Sequence, residues 1–253
     1  EVYENNIPQK HIETEPIVFA QYYGNQAILR DPVELGDVPP LCLNAVLAIE
    51  DSKFLEHGGV SVLSIGRAFL KNLKAGRVVQ GGSTITQQLV KNYFLTHERT
   101  FDRKFKELFM SLLLESKTSK DDILEAYINE IYMGQNGSFQ VRGFSSAAEF
   151  YFGKKLEDLE LPQCALLASI VNSPGLYNPF HKPENALKRR EKVLNKMQEL
   201  NIINIKEAAL AKNSPLPEKP QSMLSEPAPF FVDAVLKQLK NLGLDKTLGF
   251  DIE

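Results

Sequence analysis

From Pro39-Pro40 to about residue 212, apolar residues recur at spacings of three and four, and helix start and stop signals follow at short intervals. That period permits a mainly α fold. Val62, Ile65, Phe69 and Leu73 mark one helix face. Ser119-Lys120-Asp121-Asp122 is a capping-box-like start leading through Ile123, Leu124, Tyr127, Ile128, Ile131 and Tyr132, with Gly134 as the expected stop. Pro162 opens a further helix through Ala165, Leu166 and Ile170 that ends before Ser173-Pro174-Gly175, and residues 184–200 read as a charged amphipathic helix.

The first forty residues differ. They are rich in β-branched and aromatic residues and are broken by Pro8, Pro16, Gly24, Asn25 and Pro32. Residues 17–23, Gly24-Asn25 and residues 26–29 resemble a short β-hairpin. Residues 213–229 carry five prolines and read as a linker, with a last helix over 230–242. The expected organisation is an N-terminal β-rich segment (1–35), a main helical domain (36–212) and a proline-rich linker with a helix (213–253). The chain ends without a terminating feature, so a piece of a longer protein is expected.

Composition narrows the class of function. With 43% apolar and 24% charged residues, the balance is that of an ordinary globular fold, and the net charge of −3 leaves no nucleic-acid footprint. The longest apolar runs, 41–49 and 164–171, fall short of the roughly 18 residues a membrane-spanning helix needs. Cys42 and Cys164 lie far apart in apolar contexts, and the expectation for them is two buried thiols.

Four segments hold polar groups that core formation does not require. In Glu50-Asp51-Ser52-Lys53-Phe54-Leu55-Glu56-His57-Gly58-Gly59, two acids follow directly on the apolar run 41–49. A carboxylate there is partly desolvated, which raises its basicity; taken alone, the segment reads as a solvated acidic helix end with His57 in the turn. In Gly81-Gly82-Ser83-Thr84-Ile85-Thr86-Gln87-Gln88-Leu89-Val90-Lys91-Asn92, Ser83 or Thr84 can cap a helix that puts Thr84, Gln88 and Lys91 on one face. That is a site for phosphate or sugar, or a polar solvated face. Arg103-Lys104-Phe105-Lys106-Glu107 offers either a surface salt bridge worth about 0.3–0.5 kcal/mol or a cationic clamp for an anionic leaving group. The apolar run after it suits core or lipid. Gly134-Gln135-Asn136-Gly137 through Ala148 reads only as a glycine-rich loop between two helices.

Taken together and in this order, these segments closely resemble the peptidoglycan glycosyltransferase domain of bifunctional, class A penicillin-binding proteins. Glu-Asp-x-x-Phe-x-x-His-x-Gly stands at 50–59, the twelve-residue Gly-Gly-Ser-Thr-Ile-Thr-Gln-Gln-Leu-Val-Lys-Asn at 81–92, and Arg-Lys-x-Lys-Glu at 103–107. Ile-Leu-Glu-x-Tyr-Ile-Asn-x-Ile-Tyr-x-Gly follows at 123–134, then Arg189-Arg190-x-x-Val193-Leu194-x-x-Met197. The resemblance spans residues 36–212 and implies an all-helical, lysozyme-like fold.

It also implies a reaction. The family polymerises lipid II, a disaccharide-pentapeptide on an undecaprenyl pyrophosphate carrier, into β-1,4-linked glycan with inversion and release of the carrier pyrophosphate. Glu50 matches the base and Glu107 the second acid. Asp51, Phe54 and His57 match support for the first signature, while Ser83, Thr84, Gln87, Gln88, Lys91, Asn92, Arg103 and Lys104 match substrate-binding positions. No tightly bound cofactor is implied; a divalent cation, Mg or Mn, has Glu107 as its candidate ligand. Expected partners are lipid II, the growing glycan strand, the membrane surface, phosphoglycolipid inhibitors such as moenomycin and other cell-wall synthesis proteins. The place of action implied is the outer, periplasmic face of the bacterial cytoplasmic membrane, with a transpeptidase domain beyond this sequence. The competing reading is a lysozyme-like lytic glycosidase, which also uses paired carboxylates.

Overall fold

The computed structural model describes residues 2–4, 7–9, 20–23, 26–61, 66, 82–95, 100–137, 139–221, 238 and 250–252. The chain forms two compact units, residues 1–28 with 224–253, and residues 29–223. In the first unit, strand β1 (Val2–Glu4) pairs antiparallel with β2 (Ile7–Gln9). Strand β3 (Ala20–Tyr23) pairs antiparallel with β4 (Gln26–Arg30), Tyr23 opposite Gln26, which is the hairpin expected over 17–29. Its Gly24-Asn25 turn lies outside the described residues, as does most of the helix expected over 230–242. Strand β7 (Phe250–Ile252) pairs with the other edge of β3.

The second unit is helical. Helix α1 (Pro40–Glu50) opens on proline at its first position, where a missing N–H leaves no bond unmade. The expected helix face through Val62, Ile65, Phe69 and Leu73 lies outside the described residues. Helix α2 (Ile85–Phe94) starts from a full capping box: Thr84 accepts from the Gln87 N–H, and the Gln87 side chain accepts from the Thr84 N–H. Helix α3 (Phe101–Lys117) is capped by Thr100, and α4 (Lys120–Glu130) by Ser119, as its sequence announces. Helices α5 (Phe144–Phe152), α6 (Leu161–Val171), α7 (Pro183–Glu199) and α8 (Ile205–Asn213) complete the unit.

Helices α1, α6 and α7 pack on one another and form the centre. Every residue of α6 from 164 to 171 is buried, so its sequence has no polar stripe. Helix α2 rests on α3 and α4 beside this centre. Arg190 of α7 is buried and donates to the carbonyls of Lys212, Ser214 and Pro215, tying the end of α8 back onto α7.

Two expectations are corrected. Helix α4 ends at Glu130, not near Gly134: Tyr132–Asn136 is strand β5, paired antiparallel with β6 (Phe139–Arg142), so the polar segment from Gly134 is a hairpin rather than a loop between helices. A Cβ on Gly134 would stand 2.8 Å from the Tyr151 hydroxyl, which donates to the Met133 carbonyl at 2.8 Å; the glycine serves that approach rather than a helix stop. Cys42 and Cys164 are not free thiols but a disulfide between α1 and α6. Contact of the two helices sets their Cα atoms 4.5 Å apart, a separation that spacing of 122 in sequence cannot reveal. Closing so long a loop removes about 5 kcal/mol of unfolded-chain entropy in the loop-closure picture.

Gly143 begins α5 at φ 78°, and a Cβ there would meet the Asn129 carbonyl oxygen at 2.8 Å. Gly143→Ala should therefore lower unfolding stability by about 2 kcal/mol, through backbone strain and displacement of α4. Urea unfolding with an unchanged midpoint would contradict this account of the hairpin–helix joint.

Candidate active site

Helix α1 delivers Glu50 as its last residue. Its buried side, Cys42, Ala45, Val46 and Ala48, faces the core, and Asp51 at φ −157° leaves the helix while its N–H still bonds the Leu47 carbonyl at 3.0 Å. The Glu50 side chain is 8% exposed. One carboxylate oxygen accepts from Gln88 Nε2 at 3.0 Å, the other from Arg189 Nη2 at 3.2 Å. Burial pushes the Glu50 pKa up; the Gln88 and Arg189 contacts pull the other way, and the neighbouring Asp51 adds to the rise. A carboxylate raised by desolvation but still held by two donors is a stronger base than one in water. With its folded pKa above the unfolded value, ionising Glu50 opposes folding, so this group's contribution falls as pH rises from 4.5 through the raised value.

The donors are themselves fixed. Tyr127 Oη donates to Gln88 Oε1 at 3.1 Å, which turns the amide so that its NH₂ faces Glu50. Burial pushes the Tyr127 pKa well up, with the charges of Glu50 and Asp51 adding, so the phenol keeps its proton. The Arg189 guanidinium lies 5.5 Å from the centroid of the Tyr177 ring, and its Nε is buried without a partner among the described residues. Tyr127 and Arg189 stand within the 123–134 and 189–197 signatures, and only the tertiary structure places them at the site. The available signal was the adjacent pair Arg189-Arg190, which points one arginine into the site and the other into the fold.

Asp51 organises the loop that follows. Its Oδ2 accepts from the Ile85 N–H at 3.0 Å and from His57 Nε2 at 2.9 Å. The Gly59 N–H donates to His57 Nδ1 at 3.2 Å, so Nδ1 is the acceptor and the proton sits on Nε2, giving a neutral imidazole. Thr84 Oγ1 donates to the Gly59 carbonyl at 2.6 Å. Phe54 is a core residue, 1% exposed, with Lys120 Nζ 4.3 Å from its ring centroid. Lys120 also donates to the His57 carbonyl at 2.6 Å and to Glu115 at 2.8 Å.

A cationic cluster lies further along α2. Glu107 on α3 is buried, one oxygen accepting from Arg103 Nη1 at 2.7 Å and the other from Lys104 Nζ. Lys104 also donates to Ser83 Oγ at 2.9 Å. Burial pulls the Lys91 pKa down; Glu107 opposes that, Arg103 and Lys104 reinforce it, and Glu50 opposes it in turn. Two cations thus hold the Glu107 carboxylate and a third, Lys91, interacts with it electrostatically, leaving surplus positive charge. This is no surface salt bridge, because Glu107 is shut away from water. Gln88 and Lys91 stand three residues apart, about 4.5 Å along the helix, so one face of α2 links the carboxylate to the cations.

Glu50, Gln88, Lys91, Ser83, Arg103, Lys104 and Glu107 are therefore brought together. Asp51, His57 and Thr84 hold the loop behind them. Gln87 is buried in the capping box, and Asn92 is half-buried one position, hence about 100°, past Lys91. Both Glu107 oxygens accept from cationic side chains, and no group of three acid, histidine or cysteine side chains suited to a metal occurs among the described residues. Among the described residues, Glu107 is committed to Arg103 and Lys104 rather than to a three-ligand metal set.

Residues 17–198 match the family described as Transglycosylase. Penicillin-binding protein 1B of Haemophilus influenzae is 43% identical over 208 residues, 82% of this chain and 27% of its own length. Penicillin-binding protein 1B of Escherichia coli is 46% identical over 202 residues, 80% of this chain and 24% of its own length. Penicillin-binding protein 1A of Neisseria gonorrhoeae is 43% identical over 194 residues, 77% of this chain and 24% of its own length. The chain thus spans about a quarter of these relatives. A crystal structure of penicillin-binding protein 1A from Haemophilus influenzae shares the fold at TM-score 0.50 and 20% identity, over 94% of this chain and 26% of that one.

The carboxyl ¹³C resonance of Glu50 should titrate with a midpoint above 4.5, and Gln88→Leu should move it higher, because that change removes a donor to the ionised form. A wild-type midpoint at or below 4.5, or a downward move in the variant, would contradict the assigned environment.

Proposed function

The chain belongs to the transglycosylase family of class A penicillin-binding proteins, as a peptidoglycan glycosyltransferase domain, and from that premise we propose that it polymerises lipid II into β-1,4-linked glycan strands. The 4-hydroxyl of the acceptor's GlcNAc attacks C1 of the donor's MurNAc from the face opposite the leaving group. The C1–O4 bond forms as the C1–O bond to pyrophosphate breaks, inverting C1. Glu50 takes the hydroxyl proton, since a sugar hydroxyl is a poor nucleophile until deprotonated. Undecaprenyl pyrophosphate leaves as an anion, and Lys91, Arg103 and Lys104 neutralise it, with Glu107 holding the last two in place. The same cations suit the phosphate of a phosphoglycolipid inhibitor.

The observation that carries this reading is the pairing, along one face of α2, of a desolvated carboxylate with a cluster of surplus positive charge. The glycosidase reading needs the second acid to protonate a leaving sugar oxygen. Both Glu107 oxygens are instead occupied by cations, which suits an anionic leaving group and not that protonation. Glu50→Gln keeps the volume but removes the base and turns one acceptor oxygen into an NH₂ that faces a donor, so lipid II consumption should fall ~10²–10⁴-fold in a folded protein. A rate near wild type would overturn the assignment.

The substrate's isoprenoid carrier stays in a bilayer, so the donor site works close to a membrane, on its outer face. The disulfide supports that placement, because such bonds persist outside the reducing cytoplasm. No helix among the described residues is long and apolar enough to cross a membrane. The apolar positions Val62, Ile65, Phe69, Leu70 and Leu73, interleaved in sequence with Lys71, Lys74 and Arg77, are one candidate contact and lie outside the described residues. Within them, α3 exposes Phe101, Phe105 and Phe109 at four-residue intervals, with Leu112 continuing the stripe and Lys104, Lys106 and Lys117 exposed beside it. An aromatic ridge flanked by lysines suits the headgroup boundary of anionic lipid. The chain should float with anionic phospholipid vesicles, and Phe105→Ser with Phe109→Ser should reduce the bound fraction severalfold. Unchanged flotation of a folded variant would remove α3 from the contact.

A further inference from the structure

We propose that the Cys42–Cys164 disulfide is a positioning device for the base: it fixes the helix that ends in Glu50 on the platform that carries Arg189. The inference rests on the reading of Glu50 given above. Cys42 lies eight residues before Glu50 on α1, about 12 Å away along a helix that moves as a rod. Cys164 lies in α6, and both half-cystines are fully buried. Helices α1 and α6 each pack on α7, which supplies Arg189, so the bond closes a triangle of three helices around the base.

Apolar packing holds α1 against α6 and α7, and the disulfide adds one covalently fixed point to that contact. Its fully buried positions between Cys42 and Glu50 are the small side chains Ala45, Val46 and Ala48, while Leu43, Leu47 and Ile49 pack against the core partly buried. Apolar contact is non-directional, whereas a covalent bond sets one register. The α1 start has no side-chain cap to hold it from the other end. At Glu50 the tolerance is small, because the bonds from Gln88 and Arg189 measure 3.0 and 3.2 Å and a slide of one ångström would break them. The charged and titratable groups facing Glu50 come from other segments: Lys91 from α2, Arg189 from α7, Tyr127 from α4 and Asp51 from the loop. Displacing α1 would change all these relations together.

The test compares the oxidised chain with the same chain refolded as a dithiol, oxidation state confirmed by mass spectrometry after alkylation. Circular dichroism confirms folding, and lipid II polymerisation is followed against substrate concentration and pH. The dithiol form should lose about tenfold or more in kcat with KM changed less than twofold, as misplacement of a reacting group does. The acid limb of its kcat/KM profile should move toward the ordinary glutamate range as water reaches the carboxylate. A folded dithiol form with the kcat and acid limb of the oxidised form would overturn the proposal, leaving the bond a stabiliser only. Two free thiols in the air-oxidised protein would overturn it as well. Should the dithiol chain not fold, Cys42→Ala with Cys164→Ala, measured well below its unfolding midpoint, faces the same criteria. An oxidised chain that consumes no lipid II would overturn the parent reading, and this proposal with it.

Discussion

A single carboxylate oxygen, Asp51 Oδ2, joins the two halves of the site. It accepts from the first N–H of α2 and from His57, so the end of α1 and the start of α2 meet at one acceptor. An N–H at a helix start has no partner within its own helix, and a charged acceptor is its strongest substitute. Because that junction is fixed, Gln88 one turn into α2 falls opposite Glu50, and Lys91 another turn on falls beside Glu107. The neutral His57 is part of this clamp: its acceptor nitrogen is taken by Gly59, and its donor nitrogen by Asp51.

Around the junction, the protein buries charge that a purely structural core would avoid. Glu50 and Glu107 are both nearly removed from water, each held by side chains that neutralise it. Buried ion pairs contribute little net stability, since desolvation offsets attraction. Their retention is understandable where a base must be strong and an anion must be met. The stable part of the structure lies elsewhere, in the apolar contact of α1, α6 and α7 and in the disulfide through it. The polar site sits at the rim of that core, with α2 as the element that spans from base to cations.

Much of the fold was legible from local chemistry. The caps at Thr84 and Ser119 and the opening of α6 beside Pro162 each depend on residues within one turn of one another, and each stands where its sequence signal puts it. The hairpin at 132–142 was not legible. Tyr132 continues the helical spacing of α4 by chance, and only pairing with β6 and the approach of Tyr151 make Gly134 part of a strand.

The sequence by itself determined the helical class, the helix starts and the kinds of groups available for chemistry, because periodicity, caps and motif composition are short-range properties. It also carried the family signatures in order, and with them the expected parts of Glu50 and Glu107. Tertiary structure decided which groups meet. Arg189 reaches Glu50 across 139 residues of chain, Asn129 bonds the backbone of Val33 across 96, and Cys42 meets Cys164 across 122. No local pattern encodes such contacts, since they depend on how α1, α6 and α7 cross once their apolar faces are buried together. The same crossing turned Glu50 from an acidic helix end, which in water would be unremarkable chemistry, into a desolvated base with two directed donors.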